Sequence, residues 1–137
     1  MKITRVTATW LHVPIPEERQ HTSDFGRMTS FDTTLIRVET DAGITGFGEA
    51  KAAVGSAGTS ASLVTIVEDE LQPFLLGEDP RDISRLWDVM YNGSRAHFAI
   101  DRGHVFPILA RRGAHVSALG GVDMALWDIL GKSLGQP

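Results

Sequence analysis

Residues 120–137 read GGVDMALWDILGKSLGQP, and this stretch decides how the rest of the sequence is interpreted. Together with the residues just before it, it predicts one amphipathic helix over about residues 114–133, because apolar side chains recur at three- and four-residue steps. These side chains are Val116, Leu119, Val122, Leu126 and Leu130. Trp127 widens the apolar face, and Gly135 followed by Pro137 is typical of a helix end.

Other side chains of this helix require partners outside it. The adjacent Gly120 and Gly121 weaken a helix, and close packing against a neighbouring element would explain them. Asp123 lies beside the apolar stripe and is predicted to be a structural hydrogen-bond acceptor, because buried polar groups are bonded. Further apolar side chains predict an exposed patch that another part of the protein covers. They are Trp127, Ile129 and Leu134.

Residues 2–14 form the first predicted strand, since they are rich in Thr, Val and Ile. Alternation places three of its side chains on one face, namely Val6, Ala8 and Trp10. Pro14 and Pro16 end the strand. Residues 17–30 have no hydrophobic period and are predicted to be a loop, and a loop of this length in a compact domain is usually functional or disordered.

Residues 31–50 predict a β-hairpin, the surest part of a three-stranded antiparallel sheet over about residues 1–50. The turn is Asp41-Ala42-Gly43, where Gly43 is free to adopt a positive φ angle. Gly46 and Gly48 in the returning strand indicate a bulge or a close backbone approach.

Helices are predicted over about residues 59–133. The first ends at Pro73, and the second begins with Asp79 as N-cap and Pro80 in the first helical position. Their predicted buried side chains are Leu63, Ile66, Val67 and Leu71 in the first, and Ile83, Leu86, Trp87 and Met90 in the second. Gly103 and Pro107 interrupt any single helix over residues 92–113, so broken helices with a polar loop are predicted there. Strands followed by helices indicate an α+β fold, with the helices on one face of the sheet.

The composition suits one domain of 137 residues and excludes several classes of function. A net charge of −4 gives no argument for nucleic-acid binding, and there is no cysteine for a disulfide or thiolate site. No apolar run is long enough to span a membrane, and a cytoplasmic location is expected. Residues 92–112 are the one basic block, interpreted as solvated surface or as an interface for an acidic partner, an anionic substrate or another subunit.

The order of elements resembles the N-terminal capping domain of the enolase superfamily, in the branch of mandelate racemase and muconate lactonizing enzyme. Three stretches carry this resemblance over nearly the whole chain. Residues 40–50 look like the family's second hairpin, and residues 125–137 look like the entry to the catalytic barrel. Residues 17–30, which we name the lid segment, lie where the family has a mobile loop that closes the substrate pocket.

The resemblance implies abstraction of a proton α to a carboxylate, with a Lys or His base and one or two Mg²⁺ ions. In the family these groups stand at the ends of barrel strands, and the barrel is absent from residues 1–137. No catalytic residue and no metal ligand is therefore assigned here, the Mg²⁺ ligands are expected outside this chain, and residues 1–137 alone are expected to be inactive. The barrel domain and a carboxylate substrate are the expected partners, and a homo-oligomer is the expected assembly.

What the resemblance carries over to this chain is the pocket lid, formed by the lid segment and by residues 51–60. The candidate substrate-binding residues are His21, Asp24, Phe25, Arg27 and Met28 in the first loop, and Lys51 and Ser56 in the second. Arg27 is expected to pair with a substrate carboxylate, His21 to donate to a hydroxyl, and Phe25 and Met28 to form an apolar wall. The alternative for each is a solvated loop residue.

A polar lid favours an acid-sugar dehydratase over a racemase, epimerase or cycloisomerase of the same superfamily. A non-catalytic binding module that stands alone is the alternative from another class. Glu49 is interpreted as a structural hydrogen-bonding group, because no second carboxylate or histidine is spaced to act with it. The spacing of His97, His104 and His115 does not match a metal site.

Overall fold

The computed structural model describes residues 1–24, 26–52, 60–100, 102–103 and 113–136, with the backbone alone for 94–100. The strands are β1 (Ile3–Pro14), β2 (Thr22–Ser23), β3 (Gly26–Arg27), β4 (Ser30–Thr40) and β5 (Thr45–Ala50). The helices are α1 (Ala61–Thr65), a π-helical turn (Ile66–Leu71), α2 (Gln72–Leu75), α3 (Ile83–Ile100) and α4 (Ala114–Leu134). This order confirms the predicted α+β fold of a three-stranded meander followed by helices.

β1, β4 and β5 form one antiparallel sheet with β4 in the centre. Alternation along β4 buries Ile36 and Val38 on the face that the helices cover, opposite Val6 of β1. The other face exposes side chains such as Leu35 and Phe47, so the helices pack on one face as predicted.

The contact between α4 and β5 depends on glycines. A Cβ atom on Gly48 would lie 1.9 Å from the carbonyl oxygen of Gly121, and one on Gly46 would lie 2.1 Å from that of Ala125. A Cβ on Gly121 would meet the Ile36 side chain at 2.4 Å, whereas one on Gly120 would meet nothing within 4 Å. The predicted close approach is confirmed for Gly46, Gly48 and Gly121, and Gly120 takes no part in it.

The first helical region continues further than predicted. Pro73 does not break it: this residue lies in the first turn of α2, where its missing N–H is least costly, and the π-helical turn joins α2 to α1. Of the four side chains predicted to be buried, three are fully buried and Ile66 is only partly covered. Leu75, which was not among the four, is also fully buried.

α3 also departs from its predicted start. Asp79 and Pro80 lie in a turn, in which Asp79 accepts the backbone N–H of Arg81, and the helix begins at Ile83. Trp87 is half-buried and stacks on Tyr91, with 6.4 Å between ring centroids. Gly93, where no break was predicted, interrupts the helix with a φ of 70°. Gly103, one of the two residues expected to break it, lies in a turn with a φ of 71°, and Pro107, the other, is outside the described residues.

α4 matches the predicted final helix, and Gly135 ends it in the left-handed conformation. The prediction that Ile129 lies in an exposed patch was wrong, because this side chain is fully buried against the sheet. Trp127 and Leu134 are 56% and 66% exposed, as expected of the patch, and Met124 lies beside them at 47%. Trp127 therefore does not widen the buried face.

Helix side chains close both edges of the sheet. On β1, Glu68 accepts the N–H of Ala8 at 3.0 Å, and Gln72 donates to the carbonyl of Val6 at 2.7 Å. On β5, Asp128 accepts the N–H of Phe47 and Lys132 donates to the carbonyl of Thr45, both at 2.8 Å. These contacts satisfy backbone groups that an edge strand would otherwise expose.

Candidate functional site: the lid and its base

The lid segment has regular structure, contrary to the predicted irregular loop. It contains a short 3₁₀ turn, Glu17–Arg19, and the miniature hairpin of β2 and β3, in which Thr22 pairs with Arg27. Main-chain bonds close it, from Met28 N to His21 O at 2.8 Å and from Ile15 N to Thr29 O at 2.9 Å. These local bonds form without a hydrophobic period, which is why the pattern of side chains did not predict them.

The predicted substrate-binding residues take different positions. His21, Asp24, Arg27 and Lys51 are exposed, and Met28 is half-buried. Phe25 and Ser56 lie outside the described residues. The lid hairpin brings Arg27 opposite Thr22, and the main-chain bond brings His21 beside Met28. A role of these side chains toward substrate stays a prediction.

Arg27 has one charged neighbour in the described part of the chain. Its Nη2 lies 3.5 Å from Glu17 Oε1, and the two side chains are 49% and 85% exposed. An ion pair this open to water contributes little, so it leaves the guanidinium free to exchange Glu17 for another carboxylate.

A buried carboxylate at the base of the lid was not predicted. Asp32, near the start of β4, is 4% exposed and accepts three side-chain hydrogen bonds. Trp10 Nε1 and His12 Nδ1 bind its Oδ1 at 2.7 and 2.8 Å, and Ser30 Oγ donates to Oδ2. We refer to these four residues as the Asp32 cluster. It lies where β1 enters the lid segment and β4 leaves it.

Cross-strand pairing assembles the Asp32 cluster. His12 lies directly opposite Asp32, and the flanking pairs join Trp10 to Thr34 and Pro14 to Ser30. Alternation then places all the polar side chains of the cluster on one face. The sequence does contain a signal for this cluster, because Trp10 and His12, and likewise Ser30 and Asp32, are two residues apart and so share a face of their strand. This spacing predicts the cluster only once the register between the two strands is known.

The cluster keeps Asp32 ionised. The hydrogen bond from Ser30, followed by that from His12, lowers the pKa of Asp32 from its ordinary 3.8 to about 2, against the opposing effect of burial. An ionised carboxylate has no proton to donate, so the shared proton of the His12 contact resides on Nδ1. The imidazole of His12 also meets the Trp10 ring edge-on, with centroids 5.8 Å apart, and its side chain is 53% exposed.

Asp123 lies on the outer side of α4. Burial raises its pKa, and a hydrogen bond from the Trp127 side chain opposes that shift. This contact confirms the predicted acceptor role of Asp123, with a partner one turn along its own helix. Glu49 likewise accepts a hydrogen bond from Thr33 Oγ1 at 2.8 Å, as its structural interpretation required.

Within the described ranges, no three His, Cys, Asp or Glu side chains come together as a possible metal site. No helix in the same part of the chain is both long and apolar enough to cross a membrane. Of the arginines in the basic block of residues 92–112, Arg102 is exposed, Arg95 is described by its backbone alone, and Arg111 and Arg112 lie outside the described residues.

The amino-acid sequence of this chain is similar to those of known proteins. The family profile described as "Mandelate racemase / muconate lactonizing enzyme, N-terminal domain" matches residues 5–137. D-galactonate dehydratase of Verminephrobacter eiseniae is 42% identical over 103 residues, which are 75% of this chain and 22% of that protein. D-galactarolactone cycloisomerase of Agrobacterium fabrum is 35% identical over 138 residues, which are 98% and 30% of the two chains.

The fold is also shared with solved structures. The crystal structure of a racemase from Streptomyces coelicolor A3(2) with bound magnesium superposes with a TM-score of 0.73 at 32% identity. The superposition covers 96% of this chain and 32% of that one. The chain thus spans between a fifth and a third of the length of the proteins that it resembles.

Proposed function

This chain belongs to the mandelate racemase / muconate lactonizing enzyme family and corresponds to the N-terminal domain of its members. From that premise we propose that the chain caps the active site of a longer enzyme. In this proposal the domain covers the substrate and helps to select it, while the reacting groups stand on a barrel domain. The observation that carries the proposal is the structured lid segment, whose two ends are joined by the Asp32 cluster at one end of the sheet.

The outer side of α4 supports a barrel as the partner. Trp127, Met124 and Leu134 are all about half exposed or more, and they follow one another along the helix. Arg81, Arg85 and Leu130 line a shallow groove with Trp127. An apolar patch with a charged rim is typical of an interface rather than of a free surface.

The substrate class we propose is an acid sugar, and the reaction is dehydration initiated by removal of the proton α to the carboxylate. The likeness to D-galactonate dehydratase and the polar lid side chains support this choice. A cycloisomerase or a racemase is the alternative, favoured by the likenesses to proteins of those names. When bound by the barrel, Mg²⁺ would stabilise the enediolate that forms.

The lid residues of this chain have a defined task in that reaction. The hairpin of β2 and β3 holds the exposed guanidinium of Arg27, whose pairing with Glu17 is weak enough to be replaced by a substrate carboxylate. Closing the lid removes water from around this ion pair, which strengthens it.

The test begins with the intact mass of the purified protein, set beside the length of its expressed reading frame. We expect a mass that corresponds to a chain of several hundred residues. We also expect this protein to form a 2-keto-3-deoxy acid from D-galactonate when Mg²⁺ is present. A protein of 14.9 kDa that folds as a monomer and dehydrates no acid sugar would contradict the proposal. That outcome would favour a binding module that stands alone.

A further inference from the structure

We propose that His12 is a ligand-contacting residue at the base of the lid, positioned by Asp32 so that its Nε2 atom binds a hydroxyl or carboxylate group of an acid sugar. This inference rests on the proposed function and adds to it one specificity-determining residue outside the two loops. Asp32 is a positioning residue in this arrangement, because it acts on the ligand only through His12.

The first argument is that the His12 ring is held on two sides. Nδ1 is bonded to Asp32 at 2.8 Å, and the indole of Trp10 lies edge-on at 5.8 Å. A surface histidine ordinarily rotates among several rotamers, whereas these contacts restrict it to one orientation. The restriction lowers the entropy that the side chain would lose on binding a ligand.

The second argument is the tautomer. Because Asp32 accepts without donating, Nδ1 carries a proton, and Nε2 bears the lone pair of the neutral ring. Nε2 then accepts a hydrogen bond from a sugar hydroxyl, and in the protonated ring it donates to a carboxylate. Among the described residues, Nδ1 of His12 has a hydrogen-bond partner and Nε2 has none. Because 53% of the side chain is exposed, Nε2 is available to a ligand.

The third argument is the free-energy cost of burying the Asp32 carboxylate. A carboxylate that is 4% exposed must be desolvated, and three donors are needed to compensate it. Ser30 and Trp10 alone would leave part of its acceptor capacity unused, and His12 completes the set at the rim of the buried region. A carboxylate bonded to one ring nitrogen of a histidine fixes the tautomer, so the other ring nitrogen faces a ligand in a defined state.

The position relative to the lid agrees with this role. His12 precedes the first residue of the lid segment by five positions, and Ser30 is its last. The main-chain bond between Ile15 and Thr29 closes the segment immediately above the cluster. A group bound under the lid hairpin therefore lies next to the base where His12 is presented.

The test uses the full-length polypeptide that carries this chain, with Mg²⁺ and D-galactonate as the probe. His12→Asn is the informative variant, because the Asn amide replaces Nδ1–H toward Asp32 but has no counterpart of Nε2. We expect KM to rise about tenfold with little change in kcat or in the thermal midpoint, as for loss of one hydrogen bond to the ligand. His12→Gln, which places an amide near the position of Nε2, should recover part of the affinity.

The outcomes separate this inference from the proposed function. If the wild-type enzyme dehydrates D-galactonate and His12→Asn leaves KM unchanged, the inference is overturned and the proposed function stands. If no acid sugar is turned over, ¹⁵N NMR of the histidine rings during titration with D-galactonate decides the inference alone. A shift confined to Nε2 of His12 supports it, and an unchanged resonance overturns it.

Discussion

The carboxylate of Asp128 accepts the backbone N–H of Phe47 at 2.8 Å and closes one edge of the sheet from a helix. Lys132, four residues further along α4, donates to the carbonyl of Thr45, two residues back along β5. Four helical residues advance about 6 Å and two strand residues about 6.7 Å, so the two spacings match. Glu68 and Gln72 close the other edge with the same spacings, on Ala8 and Val6.

We expect Asp128→Ala to lower the free energy of unfolding by ~1–2 kcal/mol, because it removes the acceptor of the Phe47 N–H. Asp128→Asn should cost less, since the amide oxygen still accepts this bond. Urea unfolding measures both differences, and hydrogen exchange at Phe47 should accelerate in the alanine variant. Equal stability of the alanine variant and the wild type would show that the edge contact contributes nothing.

Gly121→Ala and Gly120→Ala form a matched pair in one helix. A Cβ on Gly121 meets Ile36 at 2.4 Å and the backbone of Glu49 at 3.1 Å, so we expect a loss of ~1–3 kcal/mol. A Cβ on Gly120 meets no atom within 4 Å, so the higher helix propensity of alanine should add ~0.5–1 kcal/mol. Thermal unfolding of the two variants should therefore shift in opposite directions, and shifts of the same sign would contradict the packing described here.

The stability contributed by Asp32 should depend on pH in the acid range. Folding lowers its pKa from 3.8 to about 2, so between these values the unfolded chain binds more protons than the folded one. The contribution is therefore fully present above about pH 4 and is lost as the pH falls through about 2. The stability difference between wild type and Asp32→Asn should shrink over this interval.

Unfolding by urea at several pH values between 2 and 7 measures that difference. Subtracting the variant from the wild type removes the contribution of the other carboxyls with lowered pKa, such as Asp79 and Asp128. A difference that stays constant from pH 7 down to pH 2 would show that Asp32 has no lowered pKa.

Trp127→Gln tests the outer side of α4. Because this side chain is 56% exposed, we expect the domain's own stability to change by less than ~0.5 kcal/mol. The neighbouring Leu126→Ala, at a fully buried position, should cost ~2–5 kcal/mol and serves as the contrast. In the full-length polypeptide, Trp127→Gln should lower the thermal midpoint, and no change there would argue against a barrel docked on this face.

Arg27→Gln should raise KM for an acid sugar about tenfold or more while leaving stability unchanged, because the Arg27–Glu17 pair is exposed. Arg19→Gln is the control, since Arg19 belongs to the same lid segment and has equal charge. Steady-state kinetics of both variants provide the comparison. An equal effect of the two substitutions would indicate general electrostatic attraction rather than a specific contact.

Much of the fold follows from the sequence alone. Alternation in β4, the Asp41-Ala42-Gly43 turn and the stripe of α4 each depend on residues within a few positions of one another. The same patterns predicted an antiparallel sheet with helices on one face, and the resemblance to a known family then specified the sheet as a meander. The local pattern predicted a helix end at Pro73, and this prediction was wrong. Packing of Leu71 and Leu75 keeps the helical region continuous despite the proline.

The sequence by itself determined the order of the elements, the glycine positions where β5 and α4 meet, and the polar character of the lid. Only the tertiary structure decided which residues those features contact: Gly121 rather than Gly120 against the sheet, and His12 and Trp10 on Asp32. His12 and Asp32 are twenty residues apart, and their contact depends on the register between two strands. A one-residue slip in that register would move every side chain of β1 relative to β4, so no local pattern specifies the base of the lid.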